Sequence, residues 1–316
     1  MKKSPNATFL KWTCLIAFLS LIATASAFAQ GESLKRSFDV SYGGILTIKA
    51  DIGAIKVRTS NSETVEVDIE VDARDRDDIE RLREEFDIRF DQDGDDVTVL
   101  MENKRKSRWG NWWGNGRQLR VTFFVTVPSR YNLDLHTSGG SISVEDLEGE
   151  VLARTSGGGL DFGNIKGRVE GKTSGGSISS GEVDGEVSGH TSGGSIHIDR
   201  ARGDVDAKTS GGSIRVDEVF GSIRAGTSGG SVTARISKQP QSDCRLTTSG
   251  GNVTVYMARD IGVNVDASTS GGRVSTDFPV TIRGEISKRS LRAKINDGGP
   301  ELYLRTSGGS IALKEI

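Results

Sequence analysis

The sequence predicts an all-β protein: a right-handed parallel β-solenoid with rungs of about 18 residues, entered through a strand-rich segment that holds one short helix. Three observations predict it. The tetrad Thr-Ser-Gly-Gly begins at Thr137, Thr155, Thr173, Thr191, Thr209, Thr227, Thr248, Thr269 and Thr306, and its first five intervals are all 18 residues, followed by 21, 21 and 37. A fixed period of this size marks stacked structural repeats. Within a unit, apolar and polar residues alternate in two short runs, Ile214 with Val216 and Ile223 with Ala225, the period-two signature of strands. Glycine supplies 41 of 316 residues against 5 prolines, so turns recur along the chain. A composition of 34% hydrophobic and 27% charged residues, with no long apolar tract beyond the N-terminus, excludes a polytopic membrane protein and a collagen-like chain. Three histidines and two cysteines leave little material for zinc sites, Cys/His nucleophile pairs or disulfide frameworks.

Residues 1–29 read as a secretory signal peptide. Lys2, Lys3 and Lys11 form the charged start, Cys14 to Ala25 the apolar stretch, and Ala27-Phe28-Ala29 a small-x-small cleavage site. The apolar stretch is too short to span a bilayer comfortably, so no transmembrane span is expected after cleavage. Cys14 lies within the signal and lacks a lipoprotein context, which leaves Cys244 as the single cysteine, read as buried and inert. Losing the three signal lysines takes the net charge from −2 to −5. An exported, mildly acidic chain of this kind argues against nucleic-acid binding.

Residues 30–135 read as a strand-rich N-terminal or capping region. Strands are expected at Leu46 to Ala50, Ala54 to Arg58, Val65 to Val71, Val97 to Met101, Leu119 to Val127 and Leu133 to His136. A helix is expected from Asp78 to Phe86, where Ile79, Leu82 and Phe86 share a face and Asp77 with Glu80 resembles a capping box. Residues 136–316 read as the solenoid. Stacking its units places Ile142, Leu160, Ile178, Ile196 and Ile214 in one column and Val151, Val169, Val187, Val205 and Ile223 in another, forming a continuous core. Gly149, Gly167, Gly185, Gly203, Gly221 and Gly262 share one place in their units, read as a corner of positive φ. The Gly-Gly after each Thr-Ser reads as the second corner. An antiparallel stack of hairpins could share the period, but a coil superposes identical residues automatically. Left-handed hexapeptide coils need aliphatics every six residues, and here the spacing is uneven. Residues 235–245 carry an insertion around Pro240, and residues 277–305 leave the pattern before Thr306 restores it.

A signal peptide, a strand-rich lead-in ending in Val125-Thr126-Val127-Pro128, and Thr-Ser-Gly-Gly units with Gly-x-Val between them together resemble the bacterial family of β-strand-repeat domains labelled "putative adhesin". The resemblance covers about residues 35 to 316. It implies a right-handed solenoid at or outside the cell envelope, and it carries over no catalytic residue.

The repeats invite three chemical readings. Regular Thr and Ser columns could match an ordered lattice, yet Thr155 follows Val151 and Ala153 in phase, so it is expected inside, satisfying backbone groups at a corner. Calcium-binding β-rolls need a persistent acidic column; Ser-Val-Glu-Asp at 143–146 becomes Ser-Ser-Gly-Glu at 179–182, so neither a repeat-wide metal array nor a cofactor is expected. Polysaccharide-cleaving β-helices need acids, or a base with metal-binding acids, converging on one face. The charged columns here, Glu150, Arg168, Glu186 and Asp204 in one and Arg154, Lys172, His190 and Lys208 in another, read instead as solvated cross-rung pairs of about 0.2–1 kcal/mol each. His136 falls in the basic column and His197 in a different polar one, and none of the three histidines is assigned a catalytic role.

One segment stands apart. Lys104-Arg105-Lys106-Ser107-Arg108-Trp109-Gly110-Asn111-Trp112-Trp113-Gly114-Asn115-Gly116-Arg117 holds three of the four tryptophans and only positive charge. Indole faces stack on sugars or sit at lipid interfaces, and Arg and Lys pair with phosphates or uronic acids. The bland alternative folds this loop over the solenoid end, against the acidic stretch from Asp72 to Asp96. The expected contact site is therefore Trp109, Trp112 and Trp113 with Lys104, Arg105, Lys106, Arg108 and Arg117. The expected role is an exported, non-enzymatic, envelope-associated binding or scaffold module, periplasmic, on the cell surface or extracellular, whose partner is an envelope glycan, a lipid surface or an envelope protein. A structural or signalling protein that binds another protein through its solenoid faces is the alternative, with a polysaccharide-active enzyme behind it.

Overall fold

Each repeat unit contributes one strand to each of two sheets. Ile178–Val183 lies in the first sheet and Val187–His190 in the second; the next unit returns with Ile196–Ala201 and Val205–Lys208. Because side chains alternate across a strand, every run buries one face, and in-register parallel stacking of identical runs makes that face continuous. The computed structural model describes residues 33–71, 77–104, 119–282 and 287–316, all within the unit Gly31–Ile316. The expected signal peptide lies outside the described residues. Among the described residues the first sheet has fifteen strands and the second fourteen.

The apolar columns run in strict register. Ile142 pairs with Ile55 and Leu160, and the column continues through Ile178, Ile196, Ile214, Val232, Val253 and Ile311. The opposing column runs Leu46, Leu133, Val151, Val169, Val187, Val205 and Ile223. All of these side chains are buried. The sheets meet by size complementation: Gly171 and Gly189 in the second sheet leave room for large residues of the first. A Cβ on Gly171 would lie 3.1 Å from Leu160 Cδ1 and 3.2 Å from Phe162 Cε2, so Phe162 fits because position 171 has no side chain.

The lead-in is built into the same two sheets. Ile45–Ala50 lies between Asn132–Thr137 and Asp96–Asn103, parallel to both, while Ala54–Ser60 lies between Ile142–Val144 and Val121–Pro128. Antiparallel strands finish this end: Phe86–Asp93 against Asp96–Asn103, Thr64–Val71 against Val121–Pro128, and Leu34–Asp39 against Thr64–Val71. The outermost strand Leu34–Asp39 carries Lys35 and Arg36, charge that blunts an open edge.

The other end is interleaved as well. The last rung in sequence, Glu301–Thr306 with Ile311–Glu315, sits between the Cys244–Thr247/Val253–Met257 rung and the Val263–Thr269/Val274–Thr276 rung. Ser290–Ile295 and Val280–Ile282 then close this end antiparallel. The 37-residue interval before Thr306 is thus an outward excursion that returns to fill a gap.

Two strands differ from the expectation. Leu34–Asp39 was not anticipated, and Phe86, expected at the end of the helix, opens the strand Phe86–Asp93 instead. The helix is Asp77–Glu85. Phe86, Ile88 and Phe90 alternate, and pairing with Asp96–Asn103 outweighs one more helical residue. Leu82 and Phe86 are both buried.

Candidate functional site

Of the loop nominated from sequence, residues Arg105 to Arg117, with the three tryptophans, lie outside the described residues. Lys104 is described: its Nζ donates to Arg83 O at 2.6 Å and its backbone N–H to Glu85 O at 2.8 Å. The base of the loop is thereby tied to the end of the helix.

The Thr-Ser-Gly-Gly corners are built alike in every rung. Each threonine is buried, and its hydroxyl donates to a glycine carbonyl of the neighbouring rung at 2.7–2.8 Å: Thr137 to Gly53, Thr155 to Gly140, Thr173 to Gly158, Thr191 to Gly176, Thr209 to Gly194, Thr227 to Gly212 and Thr248 to Gly230. Thr306 follows with Gly251 and Thr269 last with Gly309, at 2.7 Å each. The same hydroxyl oxygen accepts the amide of the glycine three residues on, as from Gly194 to Thr191 at 3.4 Å. The threonine is therefore a strap between rungs, while the serine beside it is exposed.

The other glycine column has two causes. Gly149 and Gly167 hold the expected positive φ, at 152° and 157°, whereas Gly185, Gly203, Gly221 and Gly262 do not. A Cβ on Gly185 would stand 2.4 Å from Gly167 O, and one on Gly221 would stand 2.5 Å from Asp204 Oδ1. Close stacking of one backbone corner on the next, rather than the left-handed region, requires glycine here.

Outward columns of the first sheet form an open trough of about 790 Å³ lined by Ser143, Glu145, Asp146, Asp161, Ser179 and Asp199, among others. Asp146 accepts the backbone N–H of Asn164 at 2.7 Å and its amide at 3.0 Å, which hold its carboxyl below the usual carboxylate range. Next to the trough, His197 Nε2 lies 3.4 Å from Asp199 and 3.1 Å from Asp217, while Arg215 Nε lies 2.6 Å from Asp217. Burial alone would raise the Asp217 pKa, but hydrogen bonds from His197 and Arg215 leave it lowered. Sequence reasoning missed this gathering because its members occupy different columns; aligning the units rung by rung would have shown Asp199 and Asp217 in phase.

On the second sheet the charged columns interlock. Glu170 receives Lys172 at 2.7 Å and Arg154 at 3.2 Å; the Lys172 hydrogen bond is the largest influence and leaves its carboxyl below the ordinary glutamate range despite partial burial. Asp206 serves Lys208 at 3.0 Å and His190 at 3.6 Å, and His136 meets Asp134 at 2.7 Å. In the mixed column of Glu150, Arg168, Glu186 and Asp204, Arg168 reaches Glu186 on the next rung at 3.8 Å and Glu170, off the column, at 3.8 Å. Cys244 is buried and free, and burial pushes its thiol up to about 11, so it is protonated and unreactive at neutral pH.

Coils of two strands, strapped at one corner by threonine and pressed together at both corners through glycine, define a parallel two-sheet β-solenoid whose accessible chemistry lies in outward columns. The chain belongs to the Toastrack DUF4097 family, whose model matches residues 45–314. It is similar to a solved structure from Bacteroides fragilis described as a "putative adhesin", with 14% identity over 90% of this chain and 97% of that one and a TM-score of 0.34. A second "putative adhesin", from Parabacteroides distasonis, is 10% identical over 90% and 98% of the two chains with a TM-score of 0.40. A third, from the same organism, is described as a "putative lipid binding protein", with 14% identity over 90% and 96% and a TM-score of 0.37. No curated protein matches.

Proposed function

We propose that this chain is an exported, non-enzymatic binding or scaffold module of the bacterial cell envelope, acting in the periplasm, on the cell surface or outside the cell. The observation that carries the reading is the repeated outward register. Each rung presents its polar side chains at the same place as the next, so the surface offers one contact per rung to an extended partner. The concavities fit this use, since the acidic trough of the first sheet runs across successive rungs.

The tryptophan loop, with Trp109, Trp112, Trp113 and the cations Lys104, Arg105, Lys106, Arg108 and Arg117, is the second part of the proposal. Its indoles and positive charge suit a glycan or lipid surface of the envelope. Co-sedimentation of the purified protein with envelope and polysaccharide fractions tests both parts. Wild-type protein is expected in the pellet, and a folded variant with all three tryptophans changed to alanine is expected to stay in solution. Full retention by the variant removes the loop from the proposal; absence of wild type from every pellet removes the binding role itself.

A further inference from the structure

The basic column recognised in the sequence extends much further in the fold. Lys49, His136, Arg154, Lys172, His190 and Lys208 are in direct register on six consecutive rungs of the second sheet. Gly226 then occupies the column. On that rung Arg224 takes over, one outward position away, followed by Arg245 in register with it and by Arg305 on the next rung. Nine consecutive rungs thus carry a basic side chain or histidine, at about 4.8 Å per rung, over about 40 Å.

Stability does not account for this stripe. Like charges directly opposite one another destabilise a sheet. Seven lysines and arginines and two histidines face four carboxylates within 4.0 Å: Asp134, Glu170, Asp206 and Asp266. Among the described residues no carboxylate lies within that distance of Lys49, Arg224 or Arg245. The exposed serines of the Thr-Ser-Gly-Gly corners run alongside, two residues on from His136, Arg154, Lys172, His190, Lys208 and Arg305, and three of the bases line a hollow of about 340 Å³ with Ser138 and Ser156, and with the acids Asp51 and Glu102. The first sheet's trough is lined by Glu145, Asp146, Asp161 and Asp199, so an acidic chain has its row of bases on the second sheet.

We propose that this stripe is a track for a linear acidic polysaccharide, a chain of uronic-acid type laid along the solenoid axis with its carboxylates on the bases and its hydroxyls on the serine row. The inference names the partner class for the binding role proposed above and rests on it. A single chain fits better than a flat anionic surface or a duplex, because Asp134, Glu170 and Asp206 stand in the next outward column of the same face and Glu150, Glu186 and Asp204 in the one beyond, and together they would oppose a broad anionic plane. Single-stranded nucleic acid normally finds free aromatic platforms. The aromatic in register with the stripe, Tyr303, is already stacked between Arg245 at 4.1 Å and Arg305 at 4.0 Å.

The test is binding of the purified protein to polygalacturonate, with dextran, anionic phospholipid vesicles and single-stranded DNA as parallel probes. Binding to polygalacturonate that weakens with added salt is expected, with little to dextran. The variant Lys49→Gln/Arg224→Gln/Arg245→Gln breaks no ion pair and should lose about tenfold in affinity, as should Arg154→Gln/Lys172→Gln. The first-sheet control Lys56→Gln/Arg58→Gln/Arg235→Gln should bind as wild type. Circular dichroism and unfolding midpoints confirm that each variant is folded; should one stripe variant unfold, the other decides. The proposal is overturned by unchanged binding in a folded stripe variant, by equal loss in the control, or by preference for vesicles or DNA. Wild type that pellets with envelope fractions but ignores polygalacturonate overturns this inference alone and leaves the binding role standing.

Discussion

Adjacent glycines of one corner have unequal duties. A Cβ on Gly194 would lie 2.1 Å from Gly176 O, whereas one on Gly193 would lie 3.1 Å from Gly175 O. Gly194→Ala must push two rungs apart and is expected to cost about 2–4 kcal/mol, while Gly193→Ala should cost less than about 1 kcal/mol. Urea unfolding midpoints of the two variants check the contrast. The threonine strap makes a related prediction: Thr191→Val keeps the shape but strands Gly176 O and the Gly194 N–H, and should cost about 1–3 kcal/mol by the same measurement. Ser180 runs the other way. It points into the core in register between Phe162 and Ile198, and its buried hydroxyl has no partner among the described residues. Ser180→Ala should therefore raise stability by about 1 kcal/mol.

At the scale of strands and their columns, pairing across rungs makes stability sensitive to acid. The folded state holds Glu170 below the ordinary glutamate range, chiefly through Lys172, so the unfolded chain binds more protons as pH falls through that range. Its contribution is complete above the ordinary value and is lost as pH falls through the folded value. Asp146, held down by Asn164, acts in the same direction. Stability measured against pH should decline on the acid side, and Lys172→Met should flatten that decline. Columns were also the part of the fold most legible in sequence, because Ile178, Ile196 and Ile214 recur at one spacing and can only superpose. The cause of the glycine column was not legible: positive φ and close backbone contact select the same residue. The acidic trough with His197 was hidden by its scatter over several columns, and the basic stripe was visible only as far as Lys208, since the cation changes column at Arg224. The order of the end rungs was hidden too. Thr269 and Thr306 carry the same signature, and nothing local says which stacks first.

For the molecule as a whole, the interleaved rung Glu301–Thr306/Ile311–Glu315 is a wedge between two others. Removing residues 301–316 should leave the facing edges of Cys244–Thr247 and Val263–Thr269 without partners. Hydrogen exchange is expected to show loss of protection on both strands, with the rungs from Ile178 to Lys208 unchanged. At the opposite end, Ile45–Ala50 and Ala54–Ser60 are flanked on both sides by strands that come later in the sequence. Interior rungs can zip onto one another as they are made, but neither end can be completed in the order of synthesis. The first coil must wait for Asn132–Thr137 and Ile142–Val144, and the gap beyond Val253–Met257 stays open until residue 315 arrives. Until its last residues are made, a chain of this design has an assembled middle and two unfinished ends, so the slowest step of its maturation is expected to be insertion, not propagation.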